Sequence, residues 1–231
     1  MTNLLHNAAI AIASDFDGTI SLQDSNDLLF RLLGTPKNHE IERQYRAGAI
    51  GTRRGIREHF EALAITQEVY IRFVLSHIYI DDTFPEFYQT TVARGILFSV
   101  VSAGFHNAIS VLLARVGLYI PTVFANILVE QEGRLSVKFL HDVTDCDKPY
   151  GICGNCKRRH VNALQKQGKT VVFIGDGLTD RCAAQCADVL FAKKELAAYC
   201  DSTGIPYINY SNFRDVGNVL FAPTEKNGEI V

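Results

Sequence analysis

Three short apolar runs, each ending at once in small and polar residues, constrain this 231-residue chain more than any other feature. They are Ala8–Ala13, Ile96–Val101 and Thr170–Ile174. Each is too short for a core helix and too continuous for a half-exposed strand, so each reads as a fully buried strand. Further strands are expected at 123–125, 188–191 and 206–209, and a hairpin at 127–139 around Glu132-Gly133-Arg134. Helical runs at 108–117, from near Lys157, at 178–186 and at 194–202 lie between them. Strands alternating with helices argue for an open parallel sheet with helices on both faces.

Between the first two strands the pattern is different. Leu28, Leu29, Leu32 and Leu33, then Phe60, Leu63, Val69, Phe73 and Leu75, recur at helical spacing, broken at Gly34-Thr35-Pro36 and at Gly48–Gly51. The expected architecture is therefore α/β: a Rossmann-like three-layer core from 1–20 and 94–231, with a helical cap at 21–93 inserted after the first strand. An apolar fraction of 47% with 21% charged residues suits a globular chain. The net charge of -2 gives no reason to expect nucleic acid or an anionic membrane as partner. No apolar run approaches the roughly 20 residues of a membrane span. Met1–Asn7 lacks the basic stretch of a signal peptide, so a cytoplasmic protein is expected.

In open parallel sheets the active residues gather beyond the carboxyl ends of the strands, where the three polar motifs fall. Asp15-Phe16-Asp17-Gly18-Thr19 sets two carboxylates two residues apart across a turn, so that both can face one site. One could attack phosphorus while the other moves protons; alternatively the turn only caps the element. Ser102-Ala103-Gly104 leads from a strand into a helix, as an anion cradle or an ordinary N-cap. Gly175-Asp176-Gly177-Leu178-Thr179-Asp180 adds carboxylates that could hold Mg²⁺, although Asp180 could merely complement a helix N-terminus. Lys157 could neutralise a phosphate or lie solvated on the surface.

Together and in this order, Asp15-Phe16-Asp17-Gly18-Thr19, Ser102, Lys157 and Gly175-Asp176-Gly177-x-x-Asp180 resemble the motifs of the haloacid dehalogenase superfamily of phosphatases. The resemblance covers nearly the whole chain. It implies Mg²⁺-dependent hydrolysis of a small phosphorylated metabolite through an aspartyl-phosphate. Asp15 is then the nucleophile and Asp17 the acid and base. Ser102, Ala103, Gly104 and Lys157 hold the phosphoryl group. Asp15, Asp176 and the Asp17 carbonyl bind the metal, and Asp180 supports the metal or Lys157.

A cap between the first motif and Ser102 marks the subgroup resembling phosphoserine phosphatase, as does Val101-Ser102-Ala103-Gly104-Phe105. Gly154-Asn155-Cys156-Lys157 and Asp188–Ala192 are more similar to the methionine-salvage phosphatase of 2-hydroxy-3-keto-5-methylthiopentenyl-1-phosphate. That similarity favours Lys157 over Lys148 as the family lysine. Phosphoethanolamine, phosphocholine and pyridoxal phosphatases belong to the same subgroup. Outside hydrolysis, the alternatives are a phosphotransferase or a binding module without turnover. Oligomeric state stays open, a homodimer included.

Other residues carry weaker signals. Asp24 could contact substrate or cap the first cap helix. Arg53, beside Gly51 and Gly55, is the cap cation expected at a substrate anion, against a solvated helix face. Cys146, Cys153 and Cys156 have the spacing of a structural Zn²⁺ site that His141 or His160 could complete; otherwise they are three reduced thiols.

Overall fold

The computed structural model describes residues 9–141 and 152–222. Strand β1 (Ile10–Ser14) is followed by helices α1 (Ser25–Leu33), α2 (Pro36–Arg46), α3 (Thr52–Ala62), α4 (Gln67–His77) and α5 (Phe84–Ala93). Then come β2 (Leu97–Phe105), α6 (His106–Arg115), β3 (Val123–Gln131) and β4 (Arg134–Lys138). The chain continues with α7 (Lys157–Lys166), β5 (Thr170–Gly175), α8 (Arg181–Ala184), β6 (Val189–Ala192), α9 (Lys194–Thr203), β7 (Ile208–Asn209) and α10 (Phe213–Leu220). Among the described residues no helix is long and apolar enough to cross a membrane.

The strands form one sheet in the order β4-β3-β2-β1-β5-β6-β7, parallel except for β4. Along β1 and β5 successive side chains enter opposite layers, as the two-residue period of a strand requires. Ile12, Val172 and Ile174 pack with α5, α6 and α10, whereas Ala13, Val171 and Phe173 pack with α7, α8 and α9. Both faces are dry, and this explains the unbroken apolar runs. From β1 the chain first builds outward through β2 and β3, then crosses back to β5 on the other side. The carboxyl ends of β2, β1 and β5 thus flank the crevice where the winding reverses.

Two departures from the expected strands bear on the site. The β2–β3 register shifts between Val101 and Phe105, so Ser102-Ala103-Gly104 belongs to an irregular strand end and not to the start of a helix. The expected short strand at 123–125 and the first arm of the hairpin are one strand, β3. Its turn into β4 is two residues, Glu132 and Gly133, both at positive φ, the backbone that matches strand twist in a tight hairpin.

The 21–93 stretch divides. Helices α1–α4 form the cap, and the two connections between cap and core run side by side. Leu22 N–H donates to Tyr79 O at 2.8 Å and Asp81 N–H to Ile20 O at 2.9 Å. Helix α5 lies on the sheet, where Phe84 and Phe87 meet Phe213 of α10 at ring separations of 4.8 and 5.1 Å. Helical periodicity marks a buried face without saying which core buries it, so sequence alone cannot assign α5.

The expected helix at 178–186 is a 3₁₀ turn followed by the four-residue α8. Helix α10 was not expected. Its signal is a capping box in which Asn212 Oδ1 accepts from the Arg214 and Asp215 N–H groups, and Asp215 Oδ2 accepts from Asn212 N–H.

Asp81 ties the cap exit to the core. It is buried and accepts from Thr83 N–H, Thr83 Oγ1 and, at 3.3 Å, the Phe213 N–H that opens α10. Asp81→Ala leaves the Thr83 N–H and hydroxyl without this acceptor, while Phe213 N–H keeps Thr83 Oγ1 at 3.0 Å. It is expected to lower stability by about 2–3 kcal/mol in a urea titration, with little change in m-value.

Candidate active site

Asp15 follows directly on β1, and its N–H still pairs with Ile174 O of β5 at 2.9 Å, which fixes the backbone against the sheet. Its carboxylate Oδ1 accepts from Phe16 N–H at 2.7 Å, and Oδ2 lies 2.7 Å from Lys157 Nζ. Lys157, the first residue of α7, is buried and reaches Asp180 Oδ1 at 2.6 Å. The other Asp180 oxygen accepts from the N–H groups of Asp176 and Gly177, both at 3.0 Å, which makes the tight turn after β5. Asp176 accepts from Thr19 Oγ1 at 2.9 Å and Lys194 Nζ at 3.0 Å. Asp17 accepts from Ser25 N–H at 3.0 Å, and its second oxygen is 3.5 Å from Ser102 Oγ.

Asp15, Asp176 and Asp180 are all buried, and each offers an oxygen within 4.8 Å of the others. Burial raises Asp15 well above the usual carboxylate range; Asp180 and Asp176 add repulsion, and Lys157 opposes them. Asp176 is raised by burial and Asp180, against Lys194. Burial also raises Asp17, against its hydrogen bonds from Ser25. Burial disfavours the Lys157 ammonium, but Asp15 and Asp180 outweigh it and hold the pKa above its usual value. Burial is the largest cause of each carboxylate shift, and at Asp15 and Asp176 the neighbouring carboxylates add to it. A small hard cation with oxygen ligands is what such a donor set lacks, and Mg²⁺ fits it.

The cluster closes one end of a cavity of about 370 Å³ between core and cap. Asp15, Asp17, Ser102, Ala103, Gly104 and Asp176 line that end. Asp24 lines the cap side and also caps α1, accepting from Asn26 and Asp27 N–H at 2.9 Å. The capping role expected of Asp24 is met by these two bonds. The crowded cleft, with Asp17 close by, raises the Asp24 pKa, although the residue itself stays exposed to solvent.

Arg53 is not among the cavity-lining residues; its guanidinium lies over the Phe139 ring, 5.2 Å from the centroid. The zinc site also lacks support. Among the described residues the only cluster of potential metal ligands is the aspartate trio. Cys156 is buried at the start of α7, and His160 stacks on Phe124 at 4.3 Å and bonds Asn155 through Nε2. Cys146, like Lys148, lies outside the described residues.

Several site residues were not foreseen. Asn155 donates to Ser102 O and Phe124 O, both at 2.8 Å, and Asn126 donates to Ala103 O at 2.8 Å. These amides hold the irregular end of β2. Because the Asn155 amide nitrogen donates, its oxygen accepts, and His160 presents an Nε2–H to it at 2.8 Å. Lys194 follows β6 with φ +50 and donates to Gly18 O at 2.9 Å as well as to Asp176. A non-glycine residue rarely holds that backbone, and such strain gathers at functional sites. The available signal was a lysine pair directly after a buried strand.

Comparison with known proteins agrees with this geometry. The model of the haloacid dehalogenase-like hydrolase family matches residues 12–185. A 2-hydroxy-3-keto-5-methylthiopentenyl-1-phosphate phosphatase of Exiguobacterium sp. is 30% identical over 208 residues, covering 89% of this chain and 94% of its own. A polyol phosphate phosphatase of Saccharomyces cerevisiae is 27% identical over 230 residues, covering 89% and 90%. A solved phosphoserine phosphatase carrying a phospho-aspartyl intermediate analogue superposes with a TM-score of 0.67 at 20% identity, over 91% of this chain and 98% of that one. The chain belongs to the haloacid dehalogenase-like hydrolases. Within that family it is an enzyme of the phosphatase type.

Two outcomes follow from the geometry. A Cβ on Gly104 would sit 2.3 Å from Asp17 Oδ2, so Gly104→Ala displaces that carboxylate. Phosphate release should fall about a hundredfold with little change in melting temperature. His160 is held neutral, lowered to about 4 by burial, His141 and Arg159. Below its unfolded pKa of about 6.5 the unfolded chain takes up a proton that the folded chain refuses. The His160 contribution to stability is therefore present above that pH and lost as pH falls toward about 4. His160→Gln should flatten this slope in urea titrations run across that window.

Proposed function

We propose that the protein hydrolyses a small-molecule phosphomonoester, with Mg²⁺, through an aspartyl-phosphate on Asp15. One observation carries the reading: a buried carboxylate, ion-paired to a buried lysine, stands at the floor of a cavity beside two further carboxylates.

Phe16 N–H holds Asp15 Oδ1, and Oδ2, oriented by Lys157 Nζ, is the oxygen that attacks phosphorus. Attack forms the Asp15–phosphorus bond and breaks the bond to the ester oxygen, which takes a proton from Asp17. Burial keeps a fraction of Asp17 protonated for this step. Water then gives a proton to Asp17 and attacks phosphorus, breaking the acyl-phosphate bond and releasing phosphate with Asp15 restored. Lys157 and Ser102 hold phosphoryl oxygens, and Gly104 N–H, which donates to Ser102 Oγ at 2.9 Å, orients that hydroxyl.

Mg²⁺ would be held by Asp15, Asp176 and the Asp17 carbonyl and would neutralise charge between nucleophile and phosphate. Asp180 serves as positioning residue, since both its oxygens are engaged, by Lys157 and by the turn N–H groups. The Asp17 carboxylate is bonded to Ser25 N–H at the start of the cap, so the acid and the cap are positioned together.

For substrate, the relatives favour a metabolite phosphatase of the methionine-salvage type over a phosphoserine phosphatase. The first is 30% identical, whereas the phosphoserine phosphatase likeness, at 20% identity, extends to the fold alone. Phosphate release from a panel of phosphometabolites tests the reading. Activity is expected with Mg²⁺ and lost with a chelator, and Asp15→Asn should lower it by about a thousandfold or more. Rapid quench of the wild type should leave labelled phosphate on the peptide carrying Asp15. Full activity in Asp15→Asn would overturn the covalent mechanism.

A further inference from the structure

The cavity is asymmetric in charge. Beyond the phosphoryl end, its wall carries the carboxylates of Asp24 and Asp27 on the cap's first helix segment, Glu42 on α2 and Glu195 on α9. The lining cations at this end are Arg46 and Lys194, and both are engaged. Arg46 binds Glu42 at 2.6 Å, Glu195 at 3.2 Å and Asp27 at 3.8 Å. Lys194 spans Gly18 O and Asp176.

The neutral groups on the same wall also favour an incoming donor. The buried Asn26 Oδ1 is an acceptor with no hydrogen-bond partner among the described residues. His59 Nδ1 accepts from Asn38 Nδ2, whose own oxygen is taken by Thr35, so the ring hydrogen is on Nε2 and points toward Glu42, 3.6 Å away. That leaves the lining carboxylates as the acceptors that meet a leaving group.

We propose that the leaving group is an alcohol carrying further hydrogen-bond donors, hydroxyl or ammonium, and no second anionic group. The inference rests on the phosphatase reading above and narrows its substrate class. A second carboxylate on the substrate would meet like charge in a partly desolvated space. It could gain a cation only by breaking the Arg46 bridges to Glu42 and Glu195. Hydroxyls or an ammonium would instead donate to acceptors already in place.

Two matched pairs of esters differ by the group in question. Phosphoethanolamine and phosphoserine differ by a carboxylate, as glycerol 3-phosphate and 3-phosphoglycerate differ by a hydroxymethyl exchanged for one. With p-nitrophenyl phosphate run alongside, kcat/KM is expected to favour the member without the carboxylate by at least about tenfold. A preference confined to the first pair assigns the ammonium, and one confined to the second assigns the hydroxyls; either supports the inference. Glu42→Gln, which removes the nearest of the three carboxylates from Arg46, should narrow the preference severalfold. Equal or reversed preference in both pairs, with p-nitrophenyl phosphate turned over, overturns the inference and leaves the phosphatase reading intact. No phosphate release from any ester overturns that reading, and the inference with it.

Discussion

The Lys157 ammonium, clamped between Asp15 and Asp180 out of contact with water, is the interaction on which the rest of the site depends. Burying an ion is expensive, and a buried pair is rarely a net gain in stability over apolar packing. Its value here is geometric. One ammonium joins the end of β1, the start of α7 and the turn after β5, three segments far apart in sequence. Asp180 carries the same constraint further, because its second oxygen ties the N–H groups of Asp176 and Gly177. The carboxylates of Asp15 and Asp176 are thus set by one network, whose carboxylates and ammonium are all buried.

That network can exist only where the sheet topology brings three strand ends together. The crossing from β4 back to β5, on the far side of β1, puts β1 between β2 and β5. Any order with β1 at an edge would separate Asp15 from either Ser102 or Asp176. The irregular end of β2 then turns Ser102 and Gly104 toward Asp17, and Asn155 and Asn126 supply the hydrogen bonds that the broken ladder leaves unmade. Loss of regular pairing at this end therefore has a local chemical compensation.

Strands and charged motifs were legible because both are written in neighbouring residues. An unbroken apolar run is read directly, and so is Asp15-Phe16-Asp17 at its end. What escaped was whatever depends on which surface meets which. Helix α5 has the same apolar periodicity as the cap helices, yet it buries Phe84 and Phe87 against α10. Asn155 stands two residues before Lys157, but its importance lies in reaching Ser102, 53 positions away in sequence. Nothing local reveals that the Lys194 backbone is left-handed and that its ammonium is turned back to Gly18. Arg53 lies outside the cavity lining, with its guanidinium over the ring of Phe139, a contact that nothing in its sequence neighbourhood marks.

The cap has two consequences that follow from one arrangement. Paired connections at 20–22 and 79–81 let α1–α4 meet the core as a unit, and Ser25 N–H at its first helix reaches the Asp17 carboxylate. On the opposite wall Arg46 bridges α2 to Glu195 of α9, so cap and core are also joined by charge at the cavity rim. These side chains are about half exposed, and such a bridge adds little to stability. Its effect is on what the cavity admits. An arginine engaged by three carboxylates is withdrawn from any substrate anion, and the contact that orders the cap also makes the cavity wall acidic. The hold on the Asp17 carboxylate and the acidic rim at Glu42 and Asp27 are then two results of the same closed geometry.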